Sequence, residues 1–382
     1  MKLLVVSHAC ITSVNQAFFA EVSHATGWDV SLLVPQEWTT DYKAGNKVER
    51  LEGFSGGLYS IPVWKPGNIP LHVYKSALIG LLRKVNPDAI YVHHEPYGLA
   101  TFQVYIANRL STRVPIGFYA AQNILKQYPA PFRWFERYVL AQSKFAFPVS
   151  QGALEILRKK GYSAPADVLP LAVDPEVYRR RPDWAAGERT ALGIGKDEFV
   201  IGYVGRLVEE KGLATLFKAL ARLNGFGWRC VLVGSGAYEP ALRTLATELD
   251  IADRILFCGY VEHHEAPSWF SLFDLFVLPS ETRRNWKEQF GRVIVEANAC
   301  EVPVVGTESG EIGNVLRATG GGLVVPEAEP ATLADAIGTL MGDPAQCRLL
   351  AQRGAEAVRA KFGQRQLALQ FADRIREACL SG

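Results

Sequence analysis

Two carboxylates in the C-terminal half of the chain stand eight positions apart around a glycine. Glu288 and Glu296 follow a predicted strand end at 275–280, with Gly291 at the turn into a predicted helix. The free N–H groups at a helix N-terminus bind anions, and here a carboxylate lies on either side of that terminus. The pattern predicts a cradle for a phosphorylated sugar. The N–H groups that would face the charge belong to Phe290, Gly291 and Arg292.

A basic loop lies further upstream, where a predicted strand meets a predicted helix. Arg206 and Lys211 are five positions apart in the loop that ends at Gly212. In an open α/β sheet such a loop at the carboxyl end of a strand is where an anionic ligand binds, and two cations can neutralise a diphosphate. The alternative is a solvated loop in which Lys211 pairs with a local glutamate. The presence of the Glu288 element favours the anion-binding interpretation of this loop over the solvated one.

Glu296 is predicted to point toward the same strand ends. A carboxylate that accepts from two vicinal hydroxyls commonly holds ribose, while Glu288 would meet the sugar or align the phosphates. Alternatively, both are surface glutamates near a helix start, where negative charge is favourable. That alternative accounts for Glu288 but leaves Glu296, in an apolar stretch beside Val295 and Ala297, unexplained.

Composition excludes several classes of protein. The 382 residues are 48% hydrophobic and 21% charged, with a net charge of +2, which is typical of globular domains and too small to demand nucleic acid. The six cysteines form no Cys-x-x-Cys pair, which argues against a zinc site or a disulfide framework. The apolar run at the N-terminus stops at His8, which favours a buried strand over a signal peptide. With no apolar run of about 18 residues, we expect a cytoplasmic protein.

Short apolar runs alternate with helical patterns, which predicts two doubly wound α/β domains. A proline-rich, charged stretch without periodicity at 168–196 reads as a linker between them. We expect an N-terminal domain over 1–168 and a C-terminal domain over 169–363. The predicted strands are 2–7, 29–35, 89–93, 115–119, 144–150, 198–204, 229–233, 254–258, 275–278 and 303–305. The predicted helices are 18–25, 74–85, 213–223, 238–249, 292–299, 333–340, 346–361 and 364–379.

The last predicted helix carries an apolar stripe. Leu367, Phe371 and Ile375 recur at four-residue spacing and must be buried against something. We expect residues 364–382 to pack back on the N-terminal domain, which would place a ligand in a cleft between the two domains.

In combination, these motifs resemble the family-4 retaining glycosyltransferases of the GT-B fold, which carry a Gly-Arg…Lys-Gly loop and a Glu-x7-Glu element. The resemblance spans nearly the whole second domain, including 278–280 and 303–306. It implies two Rossmann-like domains facing across a cleft and a nucleotide-sugar donor held by the second domain. Arg206 and Lys211 would bind the diphosphate, Glu296 the ribose and Glu288 the sugar, with the backbone of Gly259, Tyr260 and Val261 near the base.

The first domain departs from the family pattern. Where members often have a glycine pair, the first loop runs from His8 to Asn15, and the position of a frequent histidine falls at Ala120-Ala121-Gln122-Asn123. The loop at 282–287 is longer than usual, and Glu301 stands where glycine is usual. The acceptor-side residues that we nominate are His8, Asn15, His94, Glu95, Gln122 and Asn123.

We expect no metal and no cofactor beyond the donor. His93 and His94 are neighbours on a strand and point to opposite faces, so they cannot easily bind one ion. The chain has no Asp-x-Asp, and two cations can replace a divalent metal. The segment 126–138 mixes cations with aromatic residues, and either packs Trp134, Phe135 and Tyr138 under a charged face, which we favour, or contacts lipid headgroups at the inner membrane face.

The sequence therefore predicts a metal-independent, retaining glycosyltransferase, with Arg206, Lys211 and Glu288 as catalytic residues. It would move a hexose-type sugar from a nucleoside diphosphate to the hydroxyl of a sugar or lipid-linked acceptor, in surface polysaccharide or glycolipid assembly. The alternatives are a nucleotide-sugar epimerase or a phosphorylase of the same fold, and a non-catalytic nucleotide-sugar-binding protein.

Overall fold

A computed structural model describes residues 1–39, 45–75, 78–223, 225 and 227–380. The chain divides into two compact units. The N-terminal unit is Met1–Pro170 together with the segment from Gln364 onward, and the C-terminal unit is Leu171–Gly363. Within the described residues, each unit is built on a six-stranded parallel sheet, which confirms the predicted doubly wound α/β class.

The N-terminal unit is organised by apolar strands buried on both faces, as parallel sheets require. The strands are β1 (Lys2–Val6), β2 (Asp29–Pro35), β3 (Glu37–Trp38), β4 (Asn46–Lys47), β5 (Leu58–Ile61), β6 (Val63–Trp64), β7 (Val73–Tyr74), β8 (Ala89–Val92), β9 (Ile116–Ala120) and β10 (Phe145–Pro148). The helices are α1 (Ala17–Thr26), α2 (Leu78–Val85), α3 (Leu99–Leu110), α4 (Phe132–Gln142) and α5 (Gln151–Lys159). The sheet order is β10-β9-β8-β1-β2-β5, and β3–β4 and β6–β7 form small antiparallel ladders.

The C-terminal unit repeats the plan. Its strands are β11 (Phe199–Val204), β12 (Trp228–Val233), β13 (Ile255–Gly259), β14 (Leu275–Leu278), β15 (Val304–Thr307) and β16 (Gly322–Val325). Its helices are α6 (Pro182–Ala191), α7 (Leu213–Leu220), α8 (Glu239–Glu248), α9 (Ala266–Leu272), α10 (Arg292–Ala299), α11 (Ile312–Thr319), α12 (Pro330–Gly342) and α13 (Pro344–Lys361). The sheet order is β13-β12-β11-β14-β15-β16.

The last helix, α14 (Gln364–Leu380), belongs to the N-terminal unit. Phe371 is fully buried against Phe18, Phe19, Tyr91 and Phe147, in a core that also holds Ala368, Ala372 and Ile375 of the same helix. Arg374 donates to both carboxylate oxygens of Asp167 at 2.7 Å. The apolar stripe is thus buried, and a bidentate ion pair fixes the position of the helix at its polar edge.

The strand orders define a reversal point in each sheet, where ligands of open α/β sheets bind beyond the carboxyl ends of the strands. In the N-terminal unit it lies between β1 and β8, which are neighbours in the sheet. In the C-terminal unit it lies between β11 and β14. The loops that follow these four strands are therefore the places to look for chemistry.

Two predictions about local structure are wrong. The helix predicted from Tyr74 begins at Leu78, because Tyr74 pairs with Val63 in the β6–β7 ladder; residues 76 and 77 lie outside the described part of the chain. The predicted linker at 168–196 contains helix α6. Pro182 occupies its first turn, and Trp184 packs edge-on against Trp269 of α9 with ring centroids 5.4 Å apart.

All six cysteines, which lie in the described ranges, are free thiols, and Cys10, Cys230 and Cys300 are buried. None of the helices in the described part of the chain is both long and apolar enough to cross a membrane.

Candidate active site

The basic loop and the Glu288 element meet at the reversal point of the C-terminal sheet. Gly212 ends the loop after β11 with φ of +66°, and a Cβ built on it would lie 1.9 Å from the carbonyl oxygen of Pro279, just after β14. Only glycine permits both this backbone conformation and this close approach. The contact brings the end of the basic loop beside the strand that leads to Glu288.

Lys211 and Glu288 form a largely buried ion pair. Lys211 Nζ lies 2.6 Å from Glu288 Oε2, with side-chain exposures of 15% and 12%. Ser280 Oγ donates to the same oxygen at 3.2 Å, and the ammonium lies 5.1 Å from the ring centroid of Trp286. Lys211 therefore pairs with a residue 77 positions away rather than with a glutamate of its own loop. The predicted catalytic lysine and glutamate share one site.

Arg206 occupies the start of the same loop and is about one third exposed. Its Nη2 is 4.0 Å from Oε1 of Glu210, four positions further along the loop, which is a long distance for an ion pair. Its backbone oxygen accepts from the hydroxyl of Tyr203 at 2.7 Å, which anchors the loop to β11. An exposed guanidinium on an anchored loop can reorient toward an anion at little cost.

A second glycine loop supports Glu288 from the other side. Gly310 has φ of +57°, and its Cβ would lie 1.9 Å from the backbone oxygen of Glu288. Glu311 donates its backbone N–H to that same oxygen at 3.1 Å. Gly291, with φ of +79°, is the N-cap of α10 and turns the chain from Glu288 into the helix. Phe290 is buried beneath this turn, and Arg292 is one-third exposed above it.

Glu296 lies on α10 and is buried, with 3% of its surface exposed. Its Oε1 is 2.9 Å from Arg292 Nε, although the angle is not that of a hydrogen bond, so the contact is an ion pair. Nearby, the hydroxyl of Tyr178 and Nε2 of His263 are 3.0 Å apart. Burial raises the pKa of Tyr178, and the charge of Glu296 raises it further. A buried carboxyl group with polar neighbours suits a hydroxyl-rich ligand.

Tyr178 and His263 were missed by sequence reasoning. Tyr178 lies in the stretch predicted as a linker, and His263 was not nominated as a site residue. Trp286 also belongs with the site, because its ring covers Lys211, and its position in the long loop before Glu288 was the available signal. Val261 follows β13 after Gly259, whose backbone oxygen accepts from Gly234 N at 2.7 Å, so this segment is tied to β12.

The N-terminal unit holds the residues nominated for the acceptor side. His8 follows β1, and its backbone N–H donates to Nε2 of His94, which follows β8, at 2.9 Å. The side-chain amide of Asn15 donates to the backbone oxygen of Ala9 and to Thr12 Oγ1, both at 2.9 Å. Asn15 thus holds the loop after β1 in shape, and His8 and His94 are brought together.

Glu95, Gln122 and Asn123 lie at the neighbouring strand ends. Glu95 Oε1 accepts from the backbone N–H of Ala121 at 2.8 Å, and burial raises the pKa of Glu95 to about 7. Gln122 Oε1 accepts from the backbone N–H of Ile124 at 3.2 Å, and Asn123 is buried. A carboxyl group with a pKa near neutrality can exchange a proton at physiological pH.

The side chains of His93 and His94, which follow β8, have different neighbours, as predicted for successive residues of a strand. His93 packs against Phe19 and Tyr119, whereas His94 packs against His8 and His72. His72 was not singled out from the sequence, because it lies in a loop region with no pattern. Within the described residues, His8, His72 and His94 can each offer a nitrogen within 4.8 Å of the other two.

The aromatic and basic segment at 126–138 is only partly packed. Phe135 and Tyr138 pack on Phe102, with ring centroids 4.5 and 5.3 Å away, as favoured. The expectation for Trp134 is wrong: it is 64% exposed, because it lies on the outer face of α4. Leu125, just upstream, is also exposed.

Comparison with known proteins gives consistent results for both units. The sequence model of the family described as "Glycosyl transferases group 1" matches residues 187–357, and that described as "Glycosyltransferase Family 4" matches residues 19–177. The chain is similar to alpha-D-kanosaminyltransferase of Streptomyces kanamyceticus, with 26% identity over 345 residues, which are 86% of this chain and 85% of that protein.

The chain is also similar to the GDP-mannose-dependent alpha-(1-6)-phosphatidylinositol monomannoside mannosyltransferase of Mycobacterium tuberculosis. The two are 34% identical over 220 residues, which are 56% of this chain and 57% of that protein. The match thus spans little more than half the length of this relative.

Among solved structures, Anabaena HepE in complex with UDP superposes with a TM-score of 0.79 at 20% identity, covering 99% of this chain and 100% of that chain. Sucrose-phosphate synthase of Thermosynechococcus elongatus gives a TM-score of 0.77 at 20% identity, covering 100% of both. At such identity the likeness concerns the fold.

The two parallel-sheet units and the matches to both of them define a glycosyltransferase of the GT-B fold. The chain belongs to glycosyltransferase family 4.

Proposed function

We propose that this enzyme transfers a hexose-type sugar from a nucleoside diphosphate to a hydroxyl acceptor with retention of configuration and without a metal. The observation that carries the proposal is the pairing of Lys211 with Glu288 at the reversal point of the C-terminal sheet, with the Arg206 loop anchored beside it. Relatives described as GDP-mannose-dependent and a structural neighbour in complex with UDP support a nucleotide-linked donor.

Each donor-side residue then has a role. Arg206 and Lys211 bind the diphosphate, and the N–H groups at the start of α10, from Phe290 to Arg292, face its charge. Glu296 accepts from the ribose hydroxyls, and Glu288 meets the transferred sugar. The backbone around Val261 lies near the base, which suits a contact that does not discriminate strongly among bases.

The chemistry asks mainly for positioning and charge stabilisation. In a retaining transfer on one face of the sugar, the bond from the anomeric carbon to the phosphate oxygen breaks and the acceptor oxygen forms the new bond. The departing phosphate oxygen takes the proton of the acceptor hydroxyl. Arg206 and Lys211 stabilise the charge that develops on the leaving diphosphate, as a divalent metal does in other enzymes.

Arg206→Ala and Lys211→Ala test this proposal. Loss of one preorganised contact of this kind typically costs about 3 to 4 kcal/mol of activation free energy, a loss of about two to three orders of magnitude in turnover. A panel of nucleotide sugars screened by calorimetry first identifies the donor, and donor consumption with cell-extract acceptors then gives the rate. Near-normal turnover in either variant, with the fold intact by circular dichroism, would rule out these roles. Donor binding without consumption by the unsubstituted protein would identify a non-catalytic binding protein.

We further propose that the acceptor is a sugar or lipid-linked sugar in surface polysaccharide or glycolipid assembly. The named mannosyltransferase acts on a phosphatidylinositol monomannoside, which supports an acceptor carried by a lipid. Such an acceptor would bring the cytoplasmic enzyme to the inner face of a membrane.

The exposed face around Trp134 is the surface proposed to contact that membrane. Trp134 and Leu125 are exposed; Lys126 and Arg133 lie between them in sequence, and Arg137 follows Trp134 by three positions. Aromatic and basic side chains together bind anionic lipid surfaces. Trp134→Ala should weaken flotation with anionic liposomes, whereas Trp64→Ala, at a tryptophan that is 63% exposed elsewhere on the unit, should not. Equal flotation of both variants, or none by the unsubstituted protein, would refute this contact.

A further inference from the structure

Three imidazole rings form a compact cluster at the reversal point of the N-terminal sheet. Ring centroids are 4.7 Å apart for His8 and His94, 5.1 Å for His72 and His94, and 5.7 Å for His8 and His72. His8 follows β1 and His94 follows β8, the two strands between which the sheet order reverses. Ligands of open α/β sheets bind at this place.

The backbone around the cluster fixes the proton positions on two of the rings. Nδ1 of His72 lies 3.0 Å from the carbonyl oxygen of Ile69 and 3.3 Å from that of Asn68. A carbonyl can only accept, so Nδ1 carries the proton and Nε2 of His72 keeps a lone pair. Nε2 of His94 accepts the backbone N–H of His8, so His94 also carries its proton on Nδ1.

These rings leave polar atoms without protein partners. Nε2 of His72, Nδ1 of His94 and Nδ1 of His8 are buried and have no hydrogen-bond partner among the described residues. A buried donor or acceptor without a partner is costly, and in native structures it usually indicates a missing water or ligand. The cluster thus offers a lone pair from His72 and an N–H from His94 to a common occupant.

Burial favours the neutral form of all three rings. Burial lowers the pKa of His8 to about 3, with further lowering from His72 and His93, and burial lowers the pKa of His72 and His94. Neutral rings have little attraction for phosphate or carboxylate. A metal ion needs a lone pair from each ligand, but the single lone pair of neutral His94 is already used by the amide of His8. A nitrogen of each ring lies within 4.8 Å of one from each of the other two. One donor and one acceptor within such a cluster are the complement of an alcohol hydroxyl.

The ring of Trp38 packs against the histidine cluster. Trp38 stacks on His8 with centroids 4.6 Å apart and meets His72 edge-on at 4.8 Å. We propose that His72 and His94, together with His8, bind a hydroxyl group of the carbohydrate acceptor: His94 Nδ1–H donates to its oxygen, and the hydroxyl donates to His72 Nε2. The carbohydrate nature of the acceptor rests on the function proposed above.

Nitrogen NMR of the full-length protein labelled with ¹⁵N-histidine tests the site. The probes are methyl α-D-glucopyranoside and tetrahydropyran, which shares the six-membered ring but has no hydroxyl. We expect both His72 and His94 as Nδ1–H tautomers, assigned from the His72→Gln and His94→Gln spectra. The glycoside should shift the His72 Nε2 and His94 Nδ1 signals, and tetrahydropyran should not. Unshifted signals up to the solubility limit of the glycoside, or equal shifts with both probes, would overturn the proposal.

Two further measurements sharpen the test. His72→Phe should weaken glycoside binding about ten-fold, the loss of one hydrogen bond, while His264→Phe, at an exposed histidine of the C-terminal unit, should leave it unchanged. Zinc chloride titrated into the protein should show no stoichiometric uptake that depends on His72; such uptake would make the cluster a metal site instead.

Failure here is separable from failure of the proposed function. UDP and GDP binding depends on the C-terminal unit, so retained nucleotide binding with no glycoside response rejects only the hydroxyl site. Loss of all nucleotide and nucleotide-sugar binding in the unsubstituted protein rejects the transferase assignment.

Discussion

At the scale of single residues, the positive charge of Lys211 at the proposed donor site is already compensated within the protein. The ammonium of Lys211 is paired with Glu288 at 2.6 Å, and Ser280 holds the same carboxylate oxygen. A diphosphate that approaches Lys211 therefore meets a site whose positive charge is already compensated. Arg206 is one-third exposed, and its Nη2 lies 4.0 Å from Glu210 Oε1. Under the proposed function, Arg206 contributes to diphosphate binding and the Lys211–Glu288 pair lies next to the reacting sugar.

Glu288→Gln should separate binding from catalysis. The neutral amide no longer compensates the positive charge of Lys211 and no longer repels a diphosphate. UDP and GDP should therefore bind more tightly, by about five-fold if about 1 kcal/mol of repulsion between the carboxylate and the diphosphate is removed. Turnover should fall by about two orders of magnitude, because the contact with the transferred sugar is lost. Calorimetry gives the first quantity and donor consumption the second.

Glu308→Gln is the matched control, because Glu308 pairs with Arg317 in an exposed ion pair at 2.8 Å. It should change neither quantity. Weaker nucleotide binding in Glu288→Gln would show that the carboxylate supports the phosphates rather than opposing them.

At the scale of elements, glycines that allow close backbone approach hold the site loops together. Gly212 lies against Pro279, and Gly310 lies against the backbone oxygen of Glu288. Both have positive φ angles, so two separate constraints select glycine at each position. The loops after β11, β14 and β15 are thereby fixed as one surface around the Lys211–Glu288 pair.

Gly310→Ala and Gly27→Ala form a matched pair that isolates the close approach. Gly27 caps α1 with φ of +70° and has nothing within 4 Å of its missing Cβ, whereas Gly310 at φ of +57° faces backbone at 1.9 Å. Both substitutions cost about 1 to 2 kcal/mol for the left-handed conformation. Only Gly310→Ala should also weaken UDP or GDP binding, by about ten-fold or more, since it displaces Glu288.

Thermal unfolding and calorimetry on both variants measure the two effects. If Gly310→Ala binds nucleotide as well as Gly27→Ala does, the 309–311 loop plays no part in shaping the donor site.

The sequence predicted the elements that carry a local signal of their own. The strands around β11 and β14 and helix α10 were found, with their motifs, because apolar runs and turn residues are local signals. Helix α6 was missed because its burial depends on Trp269, which lies 85 residues after Trp184. Tyr74 was assigned to a helix because its strand partner, Val63, belongs to a ladder of only two residue pairs.

The same limit applied to the site. Arg206, Lys211, Glu288 and Glu296 could be nominated from their spacing, but the direct pairing of Lys211 with Glu288 needed the fold. His72 and Tyr178 had no motif around them, since their roles arise from tertiary contacts with His94 and His263. The donor-side and acceptor-side roles assigned to these residues stay predictions.

At the scale of the whole molecule, acid should act chiefly on the N-terminal unit. Burial lowers the pKa of His8 to about 3 and of His93 to about 4, and also lowers the pKa of His72 and His94, all from an ordinary value of 6.5. Below pH 6.5 the unfolded chain binds protons that the folded unit does not, so stability falls as the pH falls.

Glu95 opposes this trend. Burial raises its pKa from 4.5 to about 7, so it favours the folded state below pH 4.5 and loses that contribution as the pH rises through 7. Burial also raises the pKa of Glu136, so two carboxyl groups oppose the four imidazoles and are outweighed by them. We expect the free energy of unfolding to fall between about pH 7 and about pH 5, by about 1.4 kcal/mol per pH unit for each net proton taken up. Urea unfolding at several pH values measures it; a free energy that is flat or rises toward pH 5 would contradict the buried neutral rings.

The return of α14 to the first unit has a consequence for biosynthesis. Residues 171–363 form a unit that is continuous in sequence, whereas the core around Phe19, Tyr91 and Phe147 is covered by Phe371. On the ribosome, the second unit can fold while the first still exposes that apolar face and waits for its covering helix to be translated. For that interval the nascent chain is a substrate for chaperones that bind exposed aromatic surface.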